Sequence, residues 1–214
     1  VFFDQDSELV VKGTLSAIGD EARPIRLAAP VSVGENATDA TAWKGISVVR
    51  GTATLEYVGM DGAVDERGAI RVENAPLTLR NVTCGRTGHH WVNAENGILT
   101  IENSEFADSG SFVRAMGGIL SIEGSAFGVA TDGDAVIVEG PGAAVARIAS
   151  NTFEGAKGSI LKQSKLRSYV IKNLFGAGAD GGRGAIVLSD GRASIFAGNG
   201  FLGWDQAVII EDDG

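Results

Sequence analysis

An apolar residue, often Phe, closes a short β-like run again and again along this chain: Met60, Cys84, Phe106, Phe127, Phe153, Phe175 and Phe201. The gaps are 24, 22, 21, 26, 22 and 26 residues. Self-similarity at a period of about 20–50 residues is the signature of a repeat architecture, in which each unit buries its apolar face against its neighbours. The period therefore restricts the architecture far more than the chemistry.

The units share one plan. A short strand comes first (Ile46-Ser47-Val48, Ile70-Arg71-Val72, Val136-Ile137-Val138, Ile186-Val187-Leu188). A tight turn follows at Gly51, Asn74, Gly97, Gly118, Gly140 or Gly191, then a second alternating strand such as Leu77-Thr78-Leu79, Leu99-Thr100-Ile101 or Leu120-Ser121-Ile122. The anchor residue and a polar loop complete the unit. Alternation in both strands turns one face inward and one outward. The chain has 31 glycines in 214 residues, about twice the usual share of roughly 7 %. With only four prolines and no low-complexity tract, those glycines punctuate turns rather than loosen a linker.

Units of this length leave few architectures. The leucine-rich pattern is missing, and propeller blades need about 40 residues or more per repeat. Stretches rich in Leu, Glu and Lys are nearly absent. The expectation is a single-domain, all-β, right-handed parallel β-helix of about 7–8 rungs with no substantial helix. At about 4.8 Å per rung it would be on the order of 35 Å long. Residues 1–42 read as N-terminal rungs, 43–206 as regular rungs and 207–214 as the start of a further rung. The opening Val-Phe-Phe and the strand that starts at Ala207 suggest a piece of a larger exported protein.

Asn81, Asn103, Asn151, Asn173 and Asn199 lie two or three residues before the anchor. They are expected to stack as an internal asparagine ladder, each amide bonding the backbone of the next rung. Cys84 stands in the anchor column and reads as a small buried hydrophobe; one cysteine excludes an intramolecular disulfide.

The pattern G-x-[IL]-x-[IL]-x-x-[NGS]-x-F, carried by Gly97–Phe106 and Gly118–Phe127, resembles the short repeats of the right-handed parallel β-helix, pectin-lyase-like superfamily. Leu9–Pro30 followed by Trp43–Val48 is similar to the N-terminal rungs of its secreted members. The similarity spans nearly the whole chain. It implies a fold and an extracellular or cell-surface setting, with the periplasm an alternative. It does not imply one activity, since the fold carries lyases, hydrolases, epimerases, adhesins and inert stalks.

Glycoside hydrolysis needs two carboxylates, about 6.5–9.5 Å apart in inverting enzymes. Lyases of this superfamily use Lys or Arg as base, often beside acidic calcium ligands. Five residues after each anchor come Asp65, His89, Ser111, Asp132, Gly158, Asp180 and Gln206, a polar column for one edge of the rod. His89, Asp132, Asp134 and Asp180 are the catalytic candidates, and His90 and Trp91 the ligand-binding candidates. The competing expectation is that Asp, Gly and Ser fill turns because turns prefer them, and that Trp91 packs. Thr131-Asp132-Gly133-Asp134 faintly resembles a polygalacturonase catalytic strand, but no Asp-Asp pair, Gly-His-Gly or Arg-Ile-Lys accompanies it, so no hydrolase site carries over. No metal site is expected, since a third His is lacking. No cofactor is expected either; calcium stays open with no motif to support it.

The net charge of −9 disfavours nucleic acid and anionic membranes as partners, and no apolar stretch approaches the roughly 20 residues of a membrane helix. Two functions remain. One is a non-catalytic secreted or surface module serving as rigid spacer, adhesion or glycan-binding platform. The other is a polysaccharide-active lyase, epimerase or hydrolase with its groove on the turn column. The expected partners are a polysaccharide and either further domains or a second copy joined end to end.

Overall fold

The computed structural model describes residues 1–29, 42–85, 87, 89–140, 144–177, 182–189 and 194–211. Their regular structure is all β. Three parallel sheets are visited in rotation. Sheet 1 stacks nine strands from Glu8–Val11 to Val208–Glu211, sheet 2 eight from Thr14–Ile18 to Ser194–Ala197, and sheet 3 eight from Ile25–Ala28 to Gly200–Leu202. A representative turn runs His90–Glu95, Ile98–Glu102, Glu105–Phe106. The chain thus forms a right-handed parallel β-solenoid. Six turns, from the one opening at Gly45–Val49 to the one opening at Ser159–Ser164, have a complete turn on both sides. This regular part is slightly shorter than seven to eight rungs. The end turns have one full neighbour only, which leaves their inward Leu15, Phe196 and Phe201 half-buried. No helix among the described residues is long and apolar enough to cross a membrane.

The anchor column forms in unbroken register. Leu27, Met60, Cys84, Phe106, Phe127, Phe153, Phe175 and Phe201 are successive Cα partners. From Phe106 onward the rings stack with centroids 4.8, 4.7, 5.4 and 5.4 Å apart and planes within 17°. Parallel pairing brings like side chains together at the strand spacing, and flat rings fit that spacing. Facing them in sheet 2 is a second column, Leu55–Leu79–Ile101–Ile122–Ile148–Val170. Trp43 and Trp91, fully buried, close the corner between sheets 3 and 1.

The asparagines divide into two columns. Three residues before the anchor stand Tyr57, Asn81, Asn103, Gly124, Ser150, Lys172 and Gly198, all with φ between 48° and 64°. These are left-handed bend residues, which Asn and Gly tolerate best. One residue later stand Val82, Ser104, Ser125, Asn151, Asn173 and Asn199, and this column forms the ladder. Asn173 Nδ2 donates to Asn199 Oδ1 and to the Ile148 carbonyl, while its Oδ1 accepts from the Asn151 amide at 3.0 Å. Toward the N-terminus serine replaces asparagine: Ser104 N donates to Ser125 Oγ and Val82 N to Ser104 Oγ. The expected five-asparagine ladder is therefore corrected to three asparagines and two serines. Asn81 and Asn103 serve the bend instead.

One contact skips a turn. Arg71, whose side chain is 10 % exposed, pairs with Asp65 at 3.2 Å and also with Glu8, two turns away. Gly45 and Ser47, the residues between, are small enough to let it pass.

Two stability predictions follow from the columns. Phe127→Ala opens a hole in the ring stack and should cost about 3–5 kcal/mol in equilibrium urea unfolding. Asn173→Gly removes ladder bonds and strands the Asn151 amide, at about 1–3 kcal/mol, whereas Asn103→Gly, at φ 48°, should be neutral or stabilising. Equal costs for the two glycine variants would contradict the two-column assignment.

Candidate functional site

The loops between sheets 3 and 1 place the polar turn residues. Their lengths vary: the sheet 3 strand is two residues at Glu105–Phe106 but five at Ala126–Ala130. Counting from the anchor therefore slips register here. His90, not His89, is the Cα partner of Ser111, and Ser111 Oγ donates to the Asp134 carbonyl at 2.7 Å. The column along this edge is His90–Ser111–Asp134 instead of His89–Ser111–Asp132.

Most carboxylates of the edge are engaged. Asp65, 9 % exposed, accepts from Arg67 Nε and Nη2 and from Arg71 Nη1, all at 3.2 Å. Burial raises its pKa, but the Arg67 hydrogen bonds and charge outweigh burial and hold it below the usual Asp value. Asp134 Oδ1 accepts from the Ser159 backbone amide at 2.7 Å, a turn-fixing bond. Asp132 is exposed, and Thr131, beside it, bonds the Ser109 carbonyl. Asp180, the Gly191 turn and the terminal Asp212-Asp213 lie outside the described residues.

Trp91 is wholly buried and donates through Nε1 to the Gly85 carbonyl at 2.9 Å and to Ser109 Oγ at 3.1 Å. It is a core residue with no face for a sugar, which corrects its candidacy as a stacking platform. Trp43 is likewise sealed, stacked on Phe3 at 4.1 Å. The Cys84 thiol is buried, and burial, with Asp61, pushes its pKa up, so it is inert. No group of three or more metal-ligating side chains occurs among the described residues.

His90 feels the charges of Arg114, His89 and Asp132. His90 is half-buried; burial, then the charges of Arg114 and His89, lower its pKa below the ordinary imidazole value, and Asp132 pulls weakly the other way. The imidazole is thus neutral at physiological pH. Its Nδ1 is buried without a partner. Three residues on, Asn93 donates Nδ2 to the Arg67 carbonyl at 2.9 Å, and its Oδ1 is likewise unpartnered. Strand register puts Arg71, Asn93, Arg114, Ile137 and Lys162 in one outward column of sheet 1. Of the three cations in this column Arg71 is paired with Asp65 and Glu8, and Glu73, Glu95 and Glu139 lie on the same outer face two residues further along the strands. Arg114 and Asn93 escape a search by anchor spacing. Their signal is the parallel between Trp91-Val92-Asn93-Ala94 and Phe112-Val113-Arg114-Ala115, where one polar residue interrupts an apolar run at the same position.

A shallow groove of about 400 Å³ lies elsewhere, on the outer face of sheet 3, lined by Thr83, Glu105, Asp108, Thr152 and Glu154 among others. Three carboxylates, Glu105, Asp108 and Glu154, share its lining, with no Lys, Arg or His among the lining residues.

Arg114→Gln should raise the His90 pKa and Asp132→Asn should lower it, read from the imidazole Cε1–H shift in an NMR titration. Because folding depresses this pKa, the associated stability is present above the unfolded value near 6.5 and is lost as pH falls through the folded value. An unmoved pKa in Arg114→Gln would dissolve the cluster.

No known protein family, no curated protein and no solved structure matches this chain.

Proposed function

We propose that this chain is a rigid module of an exported or surface-displayed protein, related to the pectin-lyase-like β-helices, that spaces neighbouring segments and holds a polysaccharide against sheet 1 without cleaving it. The observation that carries this reading is the fate of the turn carboxylates. Asp65 is bound up with Arg67 and Arg71, and Asp134 fixes a backbone turn, so that of the turn aspartates Asp65, Asp132 and Asp134 only Asp132 is open. Paired carboxylate catalysis needs two. Arg114 and Lys162, on one outward column of sheet 1, offer hydrogen-bond donors along the rod axis, the direction in which a linear glycan would lie. Open parallel edges at both ends of the coil suit further domains or a second copy joined end to end.

A second reading, a polysaccharide lyase or epimerase, draws on the neutral His90 beside Arg114 and Asp132, a base near a cation.

Both are tested by incubating the purified chain with acidic and neutral polysaccharides, with and without calcium. Retention on the polymer, new reducing ends and unsaturated uronate are read together. The expected result is retention that Arg114→Ala plus Lys162→Ala weakens about tenfold or more, with no new ends. Cleavage that disappears in His90→Ala would transfer the assignment to the enzyme. Neither retention nor cleavage across the panel would overturn both readings and leave the spacer alone.

A further inference from the structure

Parallel pairing sets every outward side chain beside its counterpart one turn on, so each face of the rod carries its outward residues in rows. On sheet 2 three rows run side by side. The first is apolar. Pro76, Ile98, Ile119 and Val145 are successive Cα partners, and the last three are 50, 49 and 36 % exposed. The second is hydroxylic: Ser16, Thr54, Thr78, Thr100 and Ser121. The third is charged: Glu56, Arg80, Glu102 and Glu123. Arg147, which follows Ser121 in the second row, reaches across to pair with Glu123.

Among the described residues away from the end turns, the exposed large apolar side chains are Ile98, Ile119, Val145, Tyr169 and Leu174. All but Leu174 point outward from sheet 2. Contiguous exposed apolar surface marks an interaction site. The same stretch of the face sets Glu56, Glu102 and Glu123 against Arg80 and Arg147, one charge from neutral in a chain of net charge −9. A second copy of so acidic a chain meets little repulsion here.

The rows select a geometry for that second copy. With full overlap, a two-fold axis along the rod would lay the apolar row on the facing charged row and desolvate the charges. A two-fold axis along the strands lays each row on itself in reversed order. Placed at Ile98–Glu102, this axis sets Ile98 on Ile98, Pro76 on Ile119, Thr100 on Thr100 and Thr78 on Ser121. It also brings Arg80 opposite Glu123 and Arg147 beside Glu56, each twice by symmetry. Of these charges only Glu102 meets its like, and Arg80, 2.8 Å away in the same chain, stays with it. Seven strands overlap, from Thr14–Ile18 to Arg167–Ile171. At about 4.8 Å per strand and five residues of about 3.3 Å, the plan area is on the order of 500 Å². Side-chain relief raises the accessible area toward the roughly 800 Å² per partner of a standard interface.

We propose that the outer face of sheet 2 is a lateral dimer interface, in which two copies pack face to face with antiparallel rods about a two-fold axis at Ile98–Glu102. The dimer is closed and leaves sheets 1 and 3 uncovered. End-to-end joining is a different contact: it covers the open strand edges and continues past two copies.

The test is sedimentation velocity of the purified chain from about 1 μM to about 1 mM. The expected result is a monomer–dimer equilibrium with no larger species. Ile98→Lys and Ile98→Glu should each weaken the dimer about tenfold or more, and their mixture should recover it as a heterodimer, because Ile98 faces itself. Arg80→Glu and Glu123→Arg should behave the same way, weak alone and recovered when mixed. All three positions face outward, so the urea midpoints should stay near that of the unaltered chain, which separates a lost dimer from a lost fold.

A chain that stays monomeric across that range overturns the proposal. So does a dimer that Ile98→Lys leaves intact, or a pair of mixtures that recovers nothing. Association that runs past two copies and ignores these variants is end-to-end joining, and it overturns the lateral interface too.

Discussion

Parallel pairing at one strand per turn is the constraint on which everything else depends. From Met60 onward it returns the chain to the same place every 21 to 26 residues and sets each side chain on its counterpart. Like then stacks on like, and the identity of a column matters more than the identity of a residue. The phenylalanine column, the aliphatic column and the amide column all follow from that one repeat. Loops vary in length where they leave the rod, and the interior stays in register.

The bends carry the backbone strain. Seven successive turns place the residue three before the anchor in the left-handed region. Asn81, Asn103, Gly124 and Gly198 suit it. Tyr57, Ser150 and Lys172 do not, at about 1–2 kcal/mol each, which the flanking strand pairs offset. Local preference is overridden there by the register of the sheets on both sides.

Architecture was legible because it repeats. The anchor residues read from the sequence are Cα partners in the structure, and the strand–turn–strand plan holds turn after turn. The ladder was legible only in part, since Asn fits both a bend and an inward amide, and the chemistry of the residue does not say which of two adjacent positions it occupies. Ser104 and Ser125 continue the ladder with a side chain that gives no such hint. The site was least legible. Its geometry depends on loop lengths that shift His89 against His90, on the burial that neutralises His90, and on Arg114, which lies one turn away in space and 24 residues away in the chain from His90. Trp91 looked chemical because of its two histidine neighbours; its inward orientation is set by the corner it fills.

The Glu8–Arg71–Asp65 contact changes how the molecule responds to load. A stack held only by adjacent turns peels one turn at a time, each separation independent of the last. Here the first turn is fastened to the third, with the second held between. Tension applied at the N-terminal end is shared across three turns, so that this third of the rod resists as a block and yields as one.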